Sequence, residues 1–79
     1  MHNVEKEIHY RDLVEVVDKA ISELPARRQE IFRLGRMQGF SHKEIAKKLS
    51  ISEKTIETHM RLALRDVKTA LSPLIDKIL

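Results

Sequence analysis

The 79-residue sequence has no cysteine and no tryptophan, one tyrosine, two phenylalanines, two glycines and two prolines. Without cysteine there is neither a disulfide nor a thiolate metal site, so packing alone must hold the fold, and the chain suits a reducing compartment. No apolar run approaches the roughly 20 residues that span a bilayer, and Met1-His2-Asn3 does not open a signal peptide. A cytoplasmic setting without membrane contact is the expectation. Few Gly and Pro beside many Leu, Ile, Lys and Glu exclude a turn-rich β architecture and point to an all-α fold. There is no Gly-rich phosphate loop, no Cys nucleophile and no convincing acid/base pair, so the chain does not read as an enzyme or as a cofactor carrier. Its four histidines, His2, His9, His42 and His59, form no pair at i,i+3 or i,i+4 and have no acidic cluster on a shared face, which argues against a metal site.

What is present is charge, unevenly placed. The net charge is only +3, but residues 1–24 hold three Lys/Arg against six Asp/Glu. Residues 26–48 hold seven against two, and residues 53–79 five against four. An acidic leading segment beside a basic centre suggests one face turned to a polyanion and another turned elsewhere. A solvated helical surface also carries charge, so the distribution alone decides nothing.

Hydrophobic periodicity organises the chain into a single four- to five-helix domain over residues 1–79, near the lower size limit for one unstapled core. Leu13, Val17, Ala20, Ile21 and Leu24 make one stripe, widened by Val14 and Val16, and predict a helix over about residues 10–24. Pro25 ends it and suits the first turn of the next helix, expected over about residues 26–37. That helix should bury Ile31, Phe32 and Leu34, with Gly35 allowing a neighbour to approach closely. Gly39 is placed for a left-handed C-cap, and Phe40 can pack just after it.

Residues 41–64 read SHKEIAKKLSISEKTIETHMRLAL, the form of a helix-turn-helix. Ser41 and Glu44 make an S-x-x-E capping box for a helix over 42–49, whose apolar face is Ile45, Ala46 and Leu49. Ser50-Ile51-Ser52 is a tight turn, and Ser52 caps the recognition helix expected over 53–71. Ile56, Met60, Ala63, Leu64, Val67 and Leu71 form its buried stripe. Ser72-Pro73 is expected to break or kink it, leaving a tail over 73–79 in which Leu74, Ile75, Ile78 and Leu79 fold back on the core.

If that stripe faces inward, Lys54, Glu57, Thr58 and Arg61 project from the leading end of the recognition helix, where base edges are usually reached. Arg61 can donate bidentately to guanine, Glu57 can accept from a cytosine amino group, and Thr58 can touch a thymine methyl. Glu57 repels phosphate, so it must either read a base or restrain Arg61 through an i,i+4 pair. Phosphate contacts are expected from Arg36, Ser41, Lys43, Lys47, Thr55 and Arg65, with Lys43 best placed beside the N–H groups of the first motif helix. Lys48 is a further cation of the same region. His59 is expected to pack near that first helix or to touch a phosphate. An ordinary solvated helix face would carry similar residues, and the capped helix and short turn before it are what set this one apart.

The segment ELPARRQEIFRLGRMQGFSHKEIAKKLSISEKTIETHMRLALRDVKTAL resembles region 4, the C-terminal domain, of bacterial extracytoplasmic-function sigma factors of the sigma-70 family. The landmarks are Leu24-Pro25, Ile31-Phe32, Gly39-Phe40-Ser41, Glu44-Ile45-Ala46, Leu49, Ile51-Ser52, Thr55-Ile56 and Ala63-Leu64. The resemblance implies recognition of the minus-35 promoter element in double-stranded DNA and docking on the β flap of core RNA polymerase. It further implies a monomer, often sequestered by an anti-sigma factor. Two positions depart from the family pattern: Gln29 stands where members often have Arg, and Ser50 where the turn usually has Gly. No counterpart of region 2 lies within these residues, so the expectation is a domain of a longer factor or a stand-alone homologue that binds promoter DNA without initiating transcription alone. Two other readings share the pattern. One is the effector domain of LuxR/NarL-type regulators, whose upstream segment usually differs from LPARRQEIF. The other is a protein-docking module whose acidic first helix and apolar tail are partner surfaces.

Overall fold

The computed structural model describes residues 10–78, which form α1 (Tyr10–Ser22), α2 (Ala26–Phe32), a π-helical segment (Arg33–Met37), α3 (His42–Leu49) and α4 (Glu53–Ile78). Met1 to Asn3, His2 and His9, Leu79 and the side chains of Ile75 and Ile78, all invoked above, lie outside the described residues. Among those described there is no strand, no helix long and apolar enough to cross a membrane, and no group of acidic or histidine side chains that could hold a metal.

The core forms where the sequence stripes meet. Ala20 and Ile21 of α1 and Leu24 just beyond it pack with Ile31 and Phe32, with Ile45 and Ala46, and with Ile56, Met60, Ala63 and Val67 of α4. Four isoleucines, Ile21, Ile31, Ile45 and Ile56, are fully buried, one from each helix. Burying one such side chain is worth roughly 1.5–3 kcal/mol, so each helix is tied to the others by an anchor of that size. Leu64, Leu71, Phe40 and Leu49 are half-buried around this centre.

Local signals explain most boundaries. α1 closes at Ser22, and Pro25 takes the N-cap of α2 in extended backbone, with the Gln29 N–H donating to its carbonyl at 2.8 Å. The Gln29 side chain reinforces that corner. Its Nε2 donates to the carbonyls of Ser22 at 3.3 Å and Leu24 at 3.5 Å, while Arg33 Nε donates to its Oε1 at 3.2 Å. The residue that departs from the family pattern therefore joins α1 to α2. An amide can donate and accept at once, which a guanidinium cannot.

The second helix does not stay α-helical to residue 37 as expected. Its last five residues widen to π, with the Gln38 N–H donating to the Arg33 carbonyl and the Phe40 N–H to the Leu34 carbonyl, both at 3.0 Å. Gly35 sits in this wider turn at its tightest tertiary contact: a Cβ there would lie 2.6 Å from Met60 Cε and 3.5 Å from Ile45 Cδ1. Gly39, at φ +78°, then reverses the chain in the left-handed region expected of it.

The last helix departs from expectation at its other end. No break occurs at Ser72-Pro73, and α4 runs 26 residues to Ile78 with Pro73 inside it, so residues 73–78 continue the helix in place of a separate tail. Proline removes one N–H from the ladder, the one that would reach the Thr69 carbonyl. Thr69 and Pro73 are both exposed, so water can reach that turn of the helix and offset part of the lost bond. The domain measures 52 × 19 × 18 Å.

Candidate nucleic-acid interface

The helix-turn-helix is built as its caps require. The Ser41 hydroxyl accepts from the Glu44 N–H at 3.1 Å, and the Ser41 N–H donates to the Glu44 carboxylate at 2.8 Å. The Ser41 main-chain N–H, and after it the Ser41 hydroxyl, hold the Glu44 carboxyl below the usual carboxylate range. α3 ends at Ser50, which adopts φ +56° and ψ +43° and donates its N–H to the Ala46 carbonyl. The Ile51 N–H reaches the same oxygen at 3.1 Å. Ser52 opens α4: its hydroxyl accepts from the Thr55 N–H at 3.0 Å and lies 2.8 Å from the Thr55 hydroxyl.

The buried stripe Ile56, Met60, Ala63 and Val67 fixes which face of α4 points outward. Lys54, Glu57, Thr58, Arg61, Arg65 and Lys68 fall at i, i+3, i+4, i+7, i+11 and i+14 and line one groove of about 790 Å³. Arg36 from the π segment and His42 from the start of α3 complete its lining, and Met60 and Leu64 give it an apolar part. All four residues expected to meet bases are in this groove, together with the phosphate candidates Arg36 and Arg65. His42 and Lys68 were not anticipated. The signal for Lys68 was its helical spacing from Arg61 and Arg65, which runs past the end of the recognised motif.

The remaining phosphate candidates lie elsewhere. Lys47 is in a separate hollow with Phe40, Glu44 and Lys48 on α3, where Lys48 Nζ stands 4.8 Å from the Phe40 ring centre. Lys43 is exposed at the start of α3. The N-terminal turn it was expected to exploit already holds the Glu44 carboxylate, which opposes a phosphate. The Ser41 and Thr55 hydroxyls are engaged in capping.

Five cations and one carboxylate line the groove. Arg65 is partly neutralised by Asp66, to which its Nε and Nη2 donate at 3.2 and 3.1 Å. No carboxylate pairs with Arg36, Lys54, Arg61 or Lys68 among the described residues, so their charge is open to a polyanion. The suggested Glu57–Arg61 ion pair is likewise not formed. His59 belongs to another surface. It is half-buried with Nδ1 enclosed and unpartnered, and burial, then the positive charges of Arg28 and Arg27 on α2, hold it below the ordinary histidine range. Its charged neighbours are therefore those of α2. Arg28 also reaches Asp66 at 3.8 Å.

A second concavity, of about 350 Å³, shares no residue with the first. It is lined by Tyr10, Leu13, Val14, Val17 and Asp18 of α1 and by Met37. Tyr10 is 81% exposed and Met37 53%, so this apolar surface is open.

No curated protein and no solved structure gives a significant match. The family model described as Sigma-70, region 4, matches residues 15–67, from the first helix through the cationic face of α4. That span is well over half of the chain and contains both the caps and most of the groove, so the chain belongs to the sigma-70 region 4 family, whose domains bind promoter DNA and interact with RNA polymerase.

Proposed function

We propose that this domain reads the minus-35 element as region 4 of an extracytoplasmic-function sigma factor, with α4 in the major groove. The observation that carries the reading is the single groove that gathers Lys54, Glu57, Thr58 and Arg61 with Arg36, Arg65 and Lys68. The leading turn of a recognition helix addresses base edges, and cations further along and on the facing element meet phosphates. Lys54, Glu57, Thr58 and Arg61 are thus the base-reading set. Arg36, Arg65 and Lys68 position the duplex, and Lys43 and Lys47 contribute only at the margin. No cofactor takes part, and the protein acts as a monomer in the bacterial cytoplasm.

The apolar hollow around Tyr10, Val14 and Met37 is the surface we assign to the β flap of core polymerase, and an anti-sigma factor would compete for it. Because the two concavities share no residue, DNA and polymerase can be held together. Pure docking without DNA binding would leave the open cations of the first groove without a role.

The test is selection of duplexes from a random pool, followed by titration of the selected site. Three to five phosphate contacts give a slope of log K against log salt of about −2.7 to −4.5, or roughly 40- to 500-fold weaker binding at 200 mM than at 50 mM salt. Arg61→Ala should cost about 1–3 kcal/mol on the selected duplex and relax preference at one base pair. Selection of a palindrome bound by a symmetric dimer would overturn this reading in favour of a LuxR/NarL-type effector domain.

A further inference from the structure

Glu57 is the one carboxylate in a groove lined by five cations. It is exposed on the outward face of α4, three residues after Lys54 and four before Arg61, and among the described residues neither cation forms an ion pair with it. Restraint of Arg61 therefore does not account for it. A carboxylate here weakens binding to every duplex, because it repels the phosphates that the surrounding cations attract. A surface built only for backbone affinity would be better served by glutamine or lysine.

The repulsion becomes useful when the carboxylate meets a hydrogen-bond donor. In the major groove the base edges offer two, the N4 amino group of cytosine and the N6 amino group of adenine. Guanine presents O6 and N7 and thymine presents O4, all acceptors, and an ionised carboxylate is acceptor-only. Placing it against those edges leaves lone pairs facing lone pairs in a partly desolvated site. Adenine is the poorer of the two donors, since its N7 acceptor lies beside N6 and opposes the second carboxylate oxygen.

We propose that Glu57 is a specificity-determining residue that selects cytosine, then adenine, at one position of the bound element and rejects guanine and thymine by acceptor–acceptor repulsion. The inference rests on the reading of this groove as the DNA-binding surface. It assigns Glu57 a loss of overall affinity exchanged for discrimination, with Arg36, Lys54, Arg65 and Lys68 supplying the attraction that makes the loss tolerable.

The experiment compares the wild-type domain with E57Q and E57A on the selected duplex, on its three single-base variants at each position, and on an unrelated duplex. Circular dichroism checks that both variants stay folded. Wild type should prefer cytosine over thymine or guanine at one position by about 5- to 150-fold. In E57A that preference should shrink to within about threefold while the unrelated duplex binds more tightly, by about three- to tenfold for removal of one opposing charge. E57Q should gain the same general affinity and, with an amide that both donates and accepts, admit guanine or adenine at that position. Preference at every other position should be unchanged in both variants, which a merely structural role for Glu57 would not produce. Unaltered base preference, whether or not the unrelated duplex binds more tightly, overturns the proposal and leaves the groove as the DNA surface. A wild-type domain with no affinity for any duplex overturns both.

Discussion

Ser50 offers the sharpest test of how this motif is held. It is the one non-glycine described residue at positive φ, and it terminates α3 just before the recognition helix. Left-handed backbone costs an L-residue roughly 1–2 kcal/mol, because Cβ crowds the following carbonyl. Glycine removes that cost but carries about 0.5–1 kcal/mol more backbone entropy out of the unfolded chain. The bonds made at this corner, from the Ser50 and Ile51 N–H groups to the Ala46 carbonyl, are main-chain bonds that survive substitution. The Ser50 side chain is exposed. Ser50→Gly should therefore stabilise the domain by about 0.5–1 kcal/mol. Ser50→Asn should gain a similar amount, because asparagine tolerates the left-handed region. Ser50→Val, branched at Cβ, should lose more than about 1 kcal/mol. In urea, with m near 1 kcal/mol/M for a small domain, the glycine variant's midpoint should rise by about 0.5–1 M, and its Tm by about 2–8 °C. A lower midpoint for Ser50→Gly at unchanged m, or a valine variant as stable as wild type, would refute the argument.

Gly35→Val should destabilise by about 1–3 kcal/mol: Met60 Cε, 2.6 Å from a Cβ, can swing aside, but the two further methyls must also fit between Met60 and the fully buried Ile45. A double-mutant cycle with Met60→Ala should show coupling above about 0.5 kcal/mol, and additive losses would place the clash elsewhere. The second prediction concerns acid. The folded pKa of His59 is lowered, by burial first and then by Arg28 and Arg27, so near pH 6 the unfolded chain binds more protons than the folded one. That contribution to stability is complete above the ordinary histidine pKa and declines as pH falls through about 6.5 towards the lowered folded value. Urea midpoints at pH 8, 7, 6 and 5.5 should fall over the lower part of this series. His59→Gln should flatten the fall, and an unchanged profile would show that His59 does not contribute it.

What could be read from the sequence was whatever depends on neighbours along the chain. The Ser41–Glu44 box, the Ser52 cap and the left-handed Gly39 follow from residues within a few positions of one another, and the inward stripe of α4 follows from its period. The π segment does not. It coincides with the packing of Gly35 against Met60, a contact between residues 25 positions apart that no local pattern encodes. Continuation through Pro73 also escapes a local rule, because the cost of a lost bond depends on whether the freed carbonyl meets solvent. In the groove, Arg61 and its neighbours were legible from spacing. The competing uses of Ser41 and Thr55 as caps, and the Glu44 carboxylate in the turn beside Lys43, emerge only once the hydrogen bonds are placed. Arg36 and His42 join the groove from elements whose approach to α4 is set by the core.

The uninterrupted α4 has a mechanical consequence. At 1.5 Å per residue it is a rod about 39 Å long, with the groove residues 54–68 on its first part and residues 69–78 beyond them. Ala70 and Leu71 still pack on the core, and with no break at Ser72-Pro73 the turns that follow are a rigid extension of the same rod. Each residue of a helix advances the azimuth by about 100°, so the position of residues 72–78 around the axis is fixed relative to that of Lys54, Glu57 and Arg61. The far end of α4 and its cationic face therefore turn as one piece.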